Sequence, residues 1–70
     1  MSEKMENQWV QRLDVPVKLI DMLNDNEIKT LGQLSKLSKS NLVDLGMTQN
    51  DAKKIETEIE LCGLRLVGSL

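Results

Sequence analysis

The chain has 70 residues, 40% of them hydrophobic, with 9 basic and 11 acidic side chains and a formal net charge of −2. A chain of this length builds one core at most, and no apolar run approaches the roughly 18 residues of a membrane span. Trp9 is the single aromatic residue, Cys62 the single Cys, and there is no His. That excludes single-strand nucleic-acid binding on stacked rings, a zinc site, a Cys–His or Ser–His catalytic pair and an intrachain disulfide. It also argues against a small β-sandwich or barrel, whose strands lean on aromatic and β-branched residues. The charge balance is not that of a domain built around phosphate contacts. Met1 to Glu6 carries neither a signal-peptide nor a lipidation pattern. With one thiol, the expected setting is intracellular and reducing, whether cytoplasm, nucleoid or nucleus.

The first predicted element runs from Glu3 to Leu13, where Met5, Trp9 and Leu13 fall four residues apart on one helical stripe. A lone Trp on such a stripe completes a small core. The competing reading of Trp9 is an exposed anchor for a partner's pocket. Asp14-Val15-Pro16 breaks the stripe, and Pro16 suits the first turn of a second helix over Pro16 to Asn24, with Leu19, Ile20 and Leu23 inward. Asn24-Asp25-Asn26 ends it.

Thr30-Leu31-Gly32-Gln33 reads as a capping box opening a short helix, with Leu31, Leu34 and Leu37 on one face. Ser38 or Ser40 caps the next short helix, over Asn41 to Leu45. Thr48 caps the last and longest, with Asp51 at its third position and Ala52, Ile55, Ile59 and Cys62 as its buried stripe. Gly63 is a natural left-handed terminator, and Leu64, Leu66 and Val67 form an apolar tail expected to fold back on the core. The expectation is an all-α, compact five-helix domain spanning residues 1–70, with 1–13 as an extra N-terminal helix and 14–67 as the core.

The informative stretch is Leu45-Gly46-Met47-Thr48-Gln49-Asn50-Asp51-Ala52-Lys53-Lys54-Ile55. Gly46 permits the left-handed backbone of a tight interhelical turn. Met47 plugs the hairpin, Ala52 is small where helices cross, and Ile55 continues the apolar stripe. Amides at the start of the following helix can hold an anion, helped by the helix dipole. The stretch resembles the helix-hairpin-helix motif.

From Leu13 to Leu66 the chain resembles the C-terminal domain of the bacterial RNA polymerase alpha subunit, most specifically through Ile28-Lys29-Thr30-Leu31-Gly32-Gln33-Leu34 and Gly63-Leu64-Arg65-Leu66. Leu13 to Lys18 and Asn41 to Leu45 belong to the same likeness. A second resemblance is to sterile alpha motif (SAM) domains, also five-helix units of this size. It rests on Trp9-Val10-Gln11-Arg12-Leu13 and on Leu42-Val43-Asp44-Leu45-Gly46-Met47. Both resemblances imply the SAM-like helical fold, and they part company on function.

In the polymerase family DNA is held by an Arg and an Asn on the first helix and by a Gly-Lys-Lys-Ser turn opening the last. The corresponding positions are Lys18, which lacks the bidentate fork, Asp21, a carboxylate, and Thr48-Gln49-Asn50-Asp51, with no lysine and one acid. Asp51 occupies the positive potential that a phosphate would use. Lys53 and Lys54 are read mainly as a solvated face, Lys54 beside Glu58 and Lys53 near Glu56. The polymerase resemblance thus implies a non-catalytic module linked to transcription or DNA-associated machinery, binding a protein partner with DNA contact weak or lost. The SAM resemblance implies self- or hetero-association, an acidic surface pairing with the basic N-terminal end of the last helix. A third reading is sequence-tolerant duplex DNA binding through the hairpin. Gly46 to Asp51, Lys53 and Lys54 with Lys18 and Asp21 are the candidate contacts, and Trp9 the candidate docking anchor.

Cys62, Met22 and Met47 are expected as packing residues, and Glu56, Glu58 and Glu60 as a solvated acidic edge. Carboxylates are plentiful but accompany no His, metal cage or activated nucleophile, and Gly32 and Gly46 make no phosphate loop. No enzyme activity, cofactor, metal, small-molecule substrate or membrane partner is expected.

Overall fold

The structure, a computed structural model, describes residues 5–68. Among them are two 3₁₀ turns, Met5–Asn7 and Val10–Arg12, and four α-helices: α1 Val17–Asp25, α2 Leu31–Leu34, α3 Lys39–Asp44 and α4 Gln49–Leu61. The described residues contain no strand, only an isolated antiparallel bridge between Trp9 and Thr30. The all-α expectation stands; five helices are not confirmed, since the described residues hold four α-helices and two 3₁₀ turns.

The difference lies at the N-terminus. The expected helix from Glu3 to Leu13 begins outside the described residues, and its described part is not α-helical. Trp9 is extended (φ −72°, ψ 150°), and its neighbours bond across to another part of the chain. The Val10 N–H donates to the Lys29 carbonyl at 3.0 Å and the Leu31 N–H to the Gln8 carbonyl at 2.9 Å. Val10 thereby bonds to a distant carbonyl instead of closing an α-helical turn onto Glu6. The same geometry reverses the expected burial: Val10 is fully buried, while Trp9 is 62% exposed. Met5 and Leu13 still pack on the core, so two members of the predicted stripe face inward and the largest does not.

The four α-helices lie close to where the sequence places them, because capping chemistry is local. Thr30 accepts from the Gln33 N–H (3.2 Å) and the Thr30 N–H donates to Gln33 Oε1 (3.1 Å), closing the expected capping box. Of Ser38 and Ser40, Ser38 is the cap: it accepts from the Asn41 N–H (3.2 Å), and Asn41 reciprocates (2.9 Å). Thr48 accepts from the Asp51 N–H at 3.1 Å. Pro16 sits at the N-cap of α1 itself, one position before the helix, and its carbonyl receives the first intrahelical bond from Leu19 at 2.9 Å.

Three helix ends share one construction, a left-handed residue followed by an apolar one whose N–H reaches back to a carbonyl near the helix end. After α1, Glu27 is left-handed (φ 66°) and Ile28 donates to Leu23 at 2.8 Å. After α3, Gly46 is left-handed (φ 113°) and Met47 donates to Leu42 at 3.3 Å. After α4, Gly63 (φ 88°) precedes Leu64, which donates to Ile59 at 3.1 Å. Each turn folds its apolar residue onto the core, with Ile28 and Met47 buried and Leu64 half-buried.

The resulting core is one cluster that includes Leu19, Leu23, Leu31, Leu34, Leu42, Ile55 and Ile59, all fully buried, and Ala52. The C-terminal tail closes over it only in part. Leu66 is buried and the Val67 N–H donates to the Leu37 carbonyl at 2.8 Å, but the Val67 side chain, expected to cover the core, is 56% exposed. Cys62 packs against the cluster as expected, half-buried. Among the described residues no helix is long and apolar enough to cross a membrane, and no group of three or more His, Cys, Asp or Glu side chains is placed to hold a metal.

Candidate interaction surface at the α3–α4 hairpin

The hairpin joining α3 to α4 presents its turn by burying what lies beneath it. Gly46 turns the chain, Met47 (3% exposed) fills the space under the turn, and Ala52 and Ile55 face the core without exposure. Met47, one of the candidate contacts, is therefore a support for the surface and not part of it. Thr48, Gln49, Asn50, Lys53 and Lys54 are exposed, and Asp51 is half-buried.

The α1 helix lies against this turn. A Cβ built on Gly46 would stand 3.3 Å from Cε of Met22, so the two elements approach closely there. Lys18 is one turn before Met22 and shares its helical face. Lys18 and Asp21 are both exposed. The structure thus brings the first-helix candidates and the hairpin candidates to adjoining elements. Trp9 stands on a separate element, paired with Thr30 at the bridge.

Two ion pairs define the electrostatics. Lys54 Nζ lies 3.6 Å from Glu58 Oε2, as its spacing on α4 predicts. Glu56, expected near Lys53, pairs instead with Lys39 of α3, 3.5 Å from its Nζ. The reason is packing: α3 crosses α4 and brings Lys39 over Glu56. Such half-exposed pairs stabilise by about 0.2–1 kcal/mol at most, but they settle which charges are already engaged. The predicted acidic edge is largely spent, since the Glu56 and Glu58 side chains are each only 15% exposed and paired. Lys53 has no ion pair among the described residues.

The first turn of α4 offers two further donors. Thr48 takes the Asp51 amide, which leaves the Gln49 and Asn50 amides without a protein partner among the described residues. Asp51 favours the helix through its dipole by about 0.3–1 kcal/mol and lowers the attraction of this end for anions. The end of α4 therefore carries one unengaged cation, two outward amides and one acid. A protein surface with placed carboxylates can satisfy that set pairwise, whereas a phosphate backbone needs a broader cationic field.

The SAM domain (sterile alpha motif) family model matches residues 7–61, the greater part of the chain. The chain belongs to the SAM domain family. Both segments that carried this resemblance, Trp9 to Leu13 and Leu42 to Met47, lie within the match. It gives no support to the polymerase alpha-subunit resemblance or to the transcription and DNA-binding roles that came with it. A search of curated proteins found no match. SAM domains are protein–protein interaction modules, so a protein partner is the class of ligand this fold is built to meet. What sequence reasoning missed at the surface was the Lys39–Glu56 pair, which no local spacing encodes because the two residues are on different helices.

Proposed function

We propose that this SAM domain is an association module in which the N-terminal end of α4 docks on an acidic face of a second copy. The observation that carries the reading is Lys53, exposed and unengaged beside the outward Gln49 and Asn50 amides, while Lys39 and Lys54 are held by their own glutamates. The complementary face is supplied by α1. Asp21 and Asp25 are exposed one turn apart, and Glu27 is exposed just beyond the helix end, where no basic residue offsets them in the last turn.

DNA contact through the same turn is the reading this proposal displaces. Asp21 and Asp51 stand where the polymerase family places an Asn and a basic turn, and a like-charge approach to phosphate costs on the order of 1 kcal/mol in water and more once desolvated.

Sedimentation across a concentration series tests the proposal. The wild-type chain is expected to gain mass with concentration. Lys53→Glu, and separately Asp21→Lys with Asp25→Lys, are each expected to weaken association by about a hundredfold. Mixed together, the two variants are expected to regain association, because each retains the face the other has lost. A wild-type chain that stays monomeric at the highest concentration, or salt-sensitive capture of duplex DNA that Lys53→Glu abolishes, would overturn the proposal.

A further inference from the structure

We draw no further inference here: the strongest candidate, the surface patch around the exposed Trp9 on the N-terminal segment, is neighboured in the chain and across its bridge by exposed charges of both signs, Glu6, Arg12 and Lys29, and nothing in the structure shows what covers it.

Discussion

The N-terminal segment and the α3–α4 hairpin are built on opposite principles. The hairpin is closed by bonds between near neighbours: the Ser38–Asn41 box, the Thr48 cap, and the Gly46–Met47 turn that folds onto Leu42. The segment over residues 5–13 is held by bonds to residues about twenty positions away, at Lys29 and Leu31, and by a close backbone approach to Gly32. Both segments carry apolar residues at helical spacing. Only the hairpin turns that spacing into α-helix: the N-terminal segment closes short bonds from Gln8 to Met5, Arg12 to Trp9 and Leu13 to Val10, but the Val10 amide goes to Lys29 and interrupts them. Apolar periodicity therefore reports structure reliably when local capping agrees with it, and fails when a distant backbone supplies the better hydrogen bonds.

The comparison breaks most sharply in the core of α4. Ile55 is fully buried and lies under the hairpin, so Ile55→Ala removes side-chain volume that rigid neighbours cannot refill. The expected loss is about 2–5 kcal/mol, read as a shift in the denaturant midpoint with an unchanged slope. A loss below about 1 kcal/mol would show that the hairpin is not part of the cooperative unit.

Gly32→Ala probes the other principle. A Cβ at Gly32 would lie 2.9 Å from the Glu6 carbonyl oxygen and 3.1 Å from Glu6 Cβ, so either α2 or the N-terminal turn must shift. Gly32 sits inside a helix, where Ala is otherwise favoured by roughly 1 kcal/mol. The expectation is a net loss of about 1–2 kcal/mol, since overpacking outweighs the helix gain. In hydrogen exchange, the Val10 and Leu31 amides lose protection first while those of α4 keep theirs. Uniform loss across both regions would mean that the two are not separable.

Glu27→Gly sharpens the link between the regions. Glu27 occupies the left-handed position that Gly46 and Gly63 fill elsewhere in the chain, and it sets the direction of the stretch, Ile28 to Leu31, on which the N-terminal segment leans. A left-handed non-glycine residue costs roughly 1–2 kcal/mol, partly offset by the backbone entropy that Gly adds to the unfolded chain. The expected result is a gain of about 0.5–1 kcal/mol by denaturant unfolding, and no gain would mean the turn relaxes the strain elsewhere.

Much of the fold was legible because caps and left-handed turns are written within four or five residues. Thr30 with Gln33, Thr48 with Asp51, Gly46 and Gly63 all did what their local chemistry dictates. Glu27 was hidden, since nothing but the tertiary path forces a glutamate into that conformation. The candidate surface was half legible. Gly46, Met47, Ala52 and Ile55 recur wherever two helices meet in a tight hairpin, so they announce a way of packing and not a ligand. That is why one hairpin supported both a polymerase-domain and a SAM resemblance. Which lysines remain unengaged depends on α3 crossing α4, which places Lys39 on Glu56 and leaves Lys53 without it.

The smallest expected effect is at the residue that looks largest in the sequence. Had Trp9 completed the core, truncating it would cost about 3–5 kcal/mol. Its side chain is mostly exposed, and the bonds that fix the segment belong to the backbones of Gln8 and Val10 and do not depend on the indole. Trp9→Ala should therefore change stability by no more than about 0.5 kcal/mol, and the tryptophan emission of the wild-type chain should lie at the long wavelengths of a hydrated indole. The contrasting Val10→Ala variant removes a fully buried side chain from the residue next to the same bridge and should cost roughly 1–3 kcal/mol. If the order of the two were reversed, the inward-facing residue of this segment would be Trp9 after all, and the segment would have to be helical as its spacing first suggests.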